Sequence, residues 1–272
     1  MLTALIRMYN KFQLAFKYLQ YYFTAANGRG HGVHSPFVFD FITNVLNDQR
    51  FFYAYDRVER LREAALQNNT EVEVRDHGAG SAVMLSRYRR VKNIARWSLK
   101  PPKYARLLFR MVNHYRPATI IELGTSLGIT TAYLALANTA AKVYTFEGAP
   151  AIAAIARQHF AQLELSNIHL TEGNFDDTLR PVLAKAGRAD FVFIDGNHRR
   201  EPTLRYFNWL LPYAQPGSLF VFDDIHWSTE MEEAWEAIRL HPAVTCSIDL
   251  FFVGIISFSP DFKEKQHFSI RF

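Results

Sequence analysis

Three aspartates and a histidine close two apolar runs in the second half of this 272-residue sequence. Asp195 ends FVFID, His198 follows it in Asp-Gly-Asn-His, and Asp223 and Asp224 end LFVFDD. If the two runs are neighbouring strands, three carboxylates converge, and anions that close resist joint ionisation unless a proton or a cation intervenes. A hard divalent cation such as Mg2+, bound through oxygen, would reconcile them. It would also lower the pKa of a hydroxyl held beside it and orient that oxygen for attack. The alternative is that one or two of the aspartates only cap helices or hold loops. His198 has the near-neutral pKa that suits a general base acting on a hydroxyl, although a loop histidine bonded to a carbonyl would look the same in sequence. His226 and Trp227 are weaker candidates for lining a substrate pocket.

A second group lies upstream, in TIIELGTSLGITT (Thr119–Thr131). An apolar run ends at Glu122, and Gly124, Thr125, Ser126 and Gly128 then lead into an apolar helix start. The glycines let backbone amides approach a ligand at the positive end of that helix. Their spacing is G-x-x-x-G, whereas a dinucleotide pyrophosphate favours G-x-G-x-x-G, so the ligand expected here is nucleotide-like but lacks a pyrophosphate. Glu147, which ends VYTFE and is followed by Gly148, is placed to accept hydrogen bonds from both ribose hydroxyls. Gly173-Asn174-Phe175 offers an amide and an aromatic face to an adenine.

Residues of this kind work together only if the strands carrying them share one edge of a sheet. From Pro101 the sequence alternates strand-like runs (118–123, 142–147, 167–172, 190–195 and 218–223) with helical ones (near 128–140, 150–163, 176–186, 200–212 and 230–239). Such alternation predicts a parallel sheet with helices on both faces, whose ligands bind at the carboxyl ends of the strands. Val244–Ser259 holds two β-rich runs with no helix between them, so an antiparallel hairpin closes the sheet. The expected fold is α/β: a Rossmann-like, doubly wound, mostly parallel seven-stranded sheet (residues 100–272), preceded by an N-terminal helical extension (residues 1–99).

In the extension, Leu2, Leu5, Tyr9, Phe12, Phe16, Leu19 and Phe23 recur at spacings of three and four, predicting a helix with one apolar seam buried against something. Packing on its own domain is the preferred reading, with a homodimer seam or a membrane surface as alternatives. Ser35-Pro36 reads as an N-cap followed by proline at the first helical position. A further helix is expected over Asp56–Gln67. The histidines His31 and His34 in Asn27–Ser35 invite a metal reading, but no cysteine or acidic residue stands beside them, and a joining or capping loop is preferred. Arg87, Arg89, Arg90, Lys92 and Arg96, with Tyr88 and Trp97 interleaved, form either a basic binding strip or a solvated face; the turn HGAGS (77–81) precedes them.

The formal net charge of +5 keeps an anionic partner, including nucleic acid, in view. The single cysteine, Cys246, cannot form an internal disulfide and reads as core, which fits a reducing, cytoplasmic setting. Arg7, Lys11 and Lys17 interrupt the apolar start, so no secretory signal is expected, and no uncharged run is long enough to span a membrane.

Together, E-x-G-x-x-x-G, the acidic end of the second strand, the Gly-Asn-Phe loop, FIDGNH and FDD resemble the class I S-adenosylmethionine-dependent methyltransferases. The likeness is greatest to the branch of catechol-type and macrolide-sugar O-methyltransferases and covers roughly residues 100–259; GHGVHSPF resembles a segment of some bacterial members. The resemblance implies that Gly124, Ser126 and Gly128 line the methionine half of the cofactor, that Glu147 holds its ribose, and that Asn174 and Phe175 flank its adenine. It assigns Mg2+ to Asp195, Asp223 and Asp224, although many catechol-type enzymes have Asp-Asn where this chain has Asp-Asp. Sugar-modifying relatives carry Asp-x-x-His with the histidine as base, which Asp195–His198 fits. The implied reaction is displacement on a sulfonium methyl by the oxygen of a small-molecule acceptor.

Three other readings compete. A nicotinamide-dependent oxidoreductase is disfavoured by the glycine spacing. An amino-methylating nucleic-acid enzyme usually carries Asn/Asp-Pro-Pro-aromatic where this chain has Asp-Gly-Asn-His. A non-catalytic cofactor-binding module is disfavoured by the retained Asp195, His198, Asp223 and Asp224.

Overall fold

The computed structural model describes residues 8–30, 34–74 and 87–272; His31, the HGAGS turn and the first residues of the apolar seam lie outside them. The first described elements are α1 (Lys11–Thr24), α2 (Pro36–Asp40) running into a wide π-type turn (Phe41–Leu46), and α3 (Tyr53–Gln67). Asn10 and Gln13 form a reciprocal capping box at α1, so the described helix begins at Lys11 and not near Leu2. Ser35 caps α2 with Pro36 in its first turn, as its sequence predicts. A small antiparallel ribbon, β1 (Glu71–Glu73) and β2 (Tyr88–Arg90), precedes α4 (Val91–Ser98) and α5 (Pro102–Tyr115). The basic strip is thus divided between a strand and a helix, and Arg87 is tied to Glu73.

The sheet follows: β3 (Thr119–Leu123), α6 (Ile129–Ala137), β4 (Lys142–Glu147), α7 (Pro150–Gln162), β5 (Ile168–Glu172), α8 (Phe175–Ala186), β6 (Ala189–Ile194), α9 (Arg200–Leu210), β7 (Ala214–Asp223), α10 (Thr229–Arg239), β8 (Cys246–Asp249), β9 (Val253–Ser257) and β10 (Gln266–Ser269). Its order is β10-β8-β9-β7-β6-β3-β4-β5. The sheet therefore has eight strands where seven are expected. β8 and β9 form the expected hairpin, but Gln266–Ser269 adds a parallel edge strand against β8. This edge strand is short and lies in a charged stretch, Lys263-Glu264-Lys265, so its alternation is brief.

Along each inner strand, alternate residues enter opposite layers, the two-residue period of a pleated strand. Ile120, Val143, Phe191, Phe193 and Val221 join α5 and α6, while Ile121, Leu123, Phe146, Val192 and Phe220 join α8, α9 and α10. Val38, Phe41, Ile42, Tyr55 and Val58 of the N-terminal helices enter the first of these cores directly.

Within α1, the N-terminal seam is not buried. Phe12, Phe16, Leu19 and Phe23 are 88%, 70%, 53% and 77% exposed. The opposite side of α1 makes the contact with the domain, with Tyr18 and Tyr21 against Phe251. Aromatic residues lie on both faces of this helix, so periodicity alone selects the wrong one.

Candidate active site

The strand order reverses at β3. It pairs in parallel with β4 on one side and β6 on the other, which opens a crevice above their carboxyl ends, where ligands of open α/β sheets bind. The turn after β3 adopts positive φ at Gly124 (108°), Ser126 (48°) and Gly128 (77°). Gly124 is needed on two counts, since a Cβ there would lie 2.1 Å from the Asp195 carbonyl oxygen and its φ is unfavourable for any other residue. The amides of Gly124 and Thr125 both donate to the Phe146 carbonyl, at 3.2 and 3.0 Å, locking the turn to β4.

Glu147 completes this half of the crevice. One of its oxygens accepts from the Ser126 amide (2.9 Å) and the other from the Ala149 amide (2.9 Å), so the carboxylate is positioned by the turn itself. Ser126 Oγ also meets Ser98 Oγ at 2.9 Å, which brings the end of α4 to the turn; Ser98 carries no motif that would single it out in sequence. Asn174 caps α8 by accepting from the Asp176 amide, and the Phe175 ring lies against Gly196, where a Cβ would approach within 2.8 Å. The ring expected to flank an adenine thus packs on the loop that carries His198.

Glu122 has a different setting from its neighbours. It is wholly buried below the turn, and its Oε2 accepts from Thr131 Oγ1 (2.5 Å) and Thr145 Oγ1 (2.7 Å), bracing α6 and β4. Burial pushes its pKa up to about 8 against the lowering effect of the two threonines. A carboxyl raised in the folded state stabilises most below its unfolded pKa, near 4.5, and loses that contribution as pH rises towards 8. The cofactor-free protein is therefore expected to lose melting temperature across this window, at up to about 1.4 kcal/mol per pH unit. Glu122→Gln should flatten the profile and match or exceed the wild type at pH 8. Parallel profiles in thermal unfolding would refute this role.

Across the crevice, the Asp195 amide donates to the Leu123 carbonyl (2.9 Å) and His198 Nε2 lies 3.5 Å from Asp195 Oδ1. Asp195, His198 and Asp223 each present a ligand-type atom within 4.8 Å of the others; Asp224 is not part of that grouping. Asp224 follows in a left-handed conformation (φ 53°), its amide donating to the Phe252 carbonyl. It remains close enough for its charge to act on Lys100, His198 and Asp223.

Lys100 is the group that sequence reasoning misses. Its ammonium pairs with Asp223 Oδ2 inside the cluster, where the Asp223 side chain is only 2% exposed. Nothing in the spacing announces the contact, because the two residues are 123 positions apart. Burial lowers the lysine's pKa, but attraction from Asp223, Asp195 and Asp224 outweighs it and keeps the ammonium charged. Burial likewise pushes Asp195 up, and Lys100 and His198 overcome this to hold it below the usual carboxylate range. Asp223, pressed by burial and by Asp224, is raised well above that range. For His198 burial acts downward, and its bond to Asp195 with the charge of Asp224 carries it above the ordinary histidine value.

His226 does not join this cluster. It is held between Glu232 (3.0 Å) and Asp249 (2.8 Å) and stacks on Phe251, while Trp227 is exposed at the surface. His34 is also exposed, away from any described metal-type grouping.

A glycine turn at the strand-order reversal, an acidic residue closing the next strand and an acidic cluster across the crevice are the arrangement that the sequence motifs lead one to expect of a methyltransferase domain. Comparison with known proteins agrees: residues 121–225 match the profile of a methyltransferase domain. A catechol O-methyltransferase of Niastella koreensis is 30% identical over 127 residues, 46% of this chain and 57% of that protein, so the match spans little more than half of the curated relative's length. The O-methyltransferase of Bacillus cereus, solved with S-adenosylhomocysteine, superposes with a TM-score of 0.55 at 20% identity, over 81% of this chain and 96% of that one. The O-methyltransferase TomG of Streptomyces achromogenes, solved with S-adenosylmethionine, gives 0.52 at 19% identity, over 60% and 82%. These structural likenesses support the fold.

Proposed function

We propose that the protein transfers the methyl group of S-adenosylmethionine to an oxygen of a small hydroxylated acceptor. The observation that carries this reading is the contact of Gly124 with the Asp195 carbonyl, which sets the cofactor turn directly against the loop bearing His198. Donor and base then face one crevice, and methyl transfer asks mainly for positioning and for deprotonation of the acceptor. The acceptor oxygen attacks the methyl carbon, the carbon–sulfur bond breaks, and its electron pair stays on sulfur as a neutral thioether. His198, with Nε2 towards Asp195, would take the acceptor's proton on Nδ1, and Asp195 would stabilise the imidazolium that forms. Gly124, Ser126 and Gly128 would line the methionine half of the cofactor, with Thr125 and Gly148 supporting the turn and Glu147. Asn174 and Phe175 would flank the adenine.

A divalent cation fits the residues on the acceptor side. Asp223 Oδ1 is buried without a hydrogen-bond partner among the described residues, and Asp195 and His198 present further donor atoms beside it. Asp195 and Asp223, with Asp224 at the rim, would hold a Mg2+-like ion, which when bound supplies an acidified, oriented acceptor hydroxyl. Lys100 already provides one positive charge there. Residues 1–99 act in this reading as a helical cap on the 100–272 domain, and the setting is cytoplasmic; among the described residues no helix is long and apolar enough to cross a membrane.

Titration calorimetry with S-adenosylhomocysteine tests the central step. Binding in the micromolar range is expected, weakened at least about tenfold by Glu147→Ala. No heat at high micromolar ligand would remove the proposal. Labelled cofactor offered with catechols, sugars and lipid-linked alcohols then identifies the acceptor class.

A further inference from the structure

The outward face of α1 carries Phe12, Phe16, Leu19, Tyr22 and Phe23 as one exposed ridge. Phe12, Phe16, Leu19 and Phe23 repeat every three or four residues with Tyr22 flanking them, so the ridge runs the length of the helix, roughly 20 Å for 14 residues. Leaving five large apolar side chains in water forfeits burial energy, and an apolar patch of this kind marks an interaction site.

The helix cannot fold this ridge inward, because its other face is already fastened. Tyr18 packs edge-on to Phe251 at 5.1 Å and stacks on Phe252 at 6.1 Å. Tyr21 donates to the Ile270 carbonyl, and Lys17 and the Tyr9 hydroxyl both bind Glu232, at 3.0 and 2.6 Å. Just beyond the helix, the Ala26 amide donates to the Ser269 carbonyl at 2.8 Å. The ridge is held outward by contacts along its whole inner side.

Charge indicates what covers it. The sequence contains no aspartate or glutamate before Asp40, whereas Arg7, Lys11, Lys17 and Arg29 are all present. Lys11 and Arg29 are exposed, and the Arg271 guanidinium lies 5.0 Å over the Tyr22 ring. A second copy of the chain would bring the exposed Lys11 and Arg29 of two identical faces together, and like charges repel. An anionic bilayer offers complementary charge and an apolar medium that closes around a row of exposed apolar side chains.

We propose that α1 is a docking surface for an anionic lipid bilayer: the helix lies in the plane of the interface with Phe12, Phe16, Leu19, Tyr22 and Phe23 among the acyl chains. The protein is then peripheral, attached by one helix face and not anchored through the bilayer. This does not depend on the methyl-transfer reading. Its placement does bear on it, since Phe252, which stacks beneath Tyr18, also accepts from the Asp224 amide at the edge of the acidic cluster. The acidic cluster is therefore joined to the inner side of α1 by way of one loop.

Co-sedimentation of the full chain with vesicles tests the proposal, comparing phosphatidylcholine alone with phosphatidylcholine containing phosphatidylglycerol. The wild type is expected to pellet with the phosphatidylglycerol vesicles. Binding should fall at least about tenfold on phosphatidylcholine alone, and similarly for a Phe12→Ser, Phe16→Ser, Phe23→Ser variant. These positions are exposed, so circular dichroism of the variant should match the wild type. Wild-type protein that stays in the supernatant with phosphatidylglycerol vesicles overturns the proposal, and so does a variant that binds them equally well. A wild-type dimer in sedimentation velocity that the variant converts to monomer, with no vesicle binding, would assign the ridge to a second copy and overturn it too.

Discussion

Lys100→Met is expected to unfold about 3–5 kcal/mol more easily than the wild type near pH 8, the usual consequence of removing one member of a buried ion pair. Asp223, almost fully enclosed, would lose the cation on Oδ2 while its Oδ1 still has no partner among the described residues. Asp195 and Asp224 remain close enough to repel it. The deficit should shrink towards pH 5, because Asp223 is already displaced towards protonation and can discharge the repulsion by taking up a proton. Urea unfolding at the two pH values measures this. Mg2+ should restore more stability to the variant than it adds to the wild type, since it meets a carboxylate no longer occupied by an ammonium. Equal midpoints for the two proteins at both pH values would mean that Lys100 is incidental to the cluster.

The second large effect is expected from His198→Ala. Loss of a positioned general base lowers turnover by about 10²–10⁴-fold. The KM for S-adenosylmethionine should barely change, because the turn and Glu147 proposed to hold the donor are fixed by β4 and not by His198. The wild-type rate should also carry a recognisable pH limb. Burial lowers the His198 pKa, but Asp195 and Asp224 outweigh burial and hold it above 6.5, so the free imidazole becomes abundant only as pH rises beyond that point. log(kcat/KM) should climb through this region in the wild type and lose the limb in the variant. A variant with full turnover and the same profile would assign the acceptor's proton to another group.

The parts of this molecule that were legible in sequence are those governed by local rules. Strands such as FVFID and LFVFDD declare themselves because a strand covered on both faces must be apolar throughout, and the Gly124–Gly128 spacing marks a turn that only small residues can make. The placement of Glu147, Asn174, Asp195 and His198 along one side of the crevice follows because the strand ends share one edge. Long-range contacts leave no such trace: Lys100 lies ahead of a Pro-Pro pair, and only the folded chain carries it to Asp223. α5 was missed for a related reason. The expected alternation opens on the strand at 118–123 and includes no helix before it, although proline suits a first helical turn and Leu107, Leu108, Met111 and Val112 behind it are all buried. β10 is too short to alternate visibly, and α1 misleads because it is aromatic on both sides.

The stitching of the chain's two ends has a consequence for biosynthesis. Ala26 lies between Ser269 and Arg271, giving its amide to the first and its carbonyl to the amide of the second, and Arg271 Nε donates to the Ala25 carbonyl. The seat of α1 therefore does not exist until nearly 250 further residues have been translated. At about 5–20 residues per second this leaves the first helix waiting on the order of tens of seconds, with both of its aromatic faces bare. A nascent chain of this design meets whatever apolar surface is nearest the ribosome before it meets its own domain.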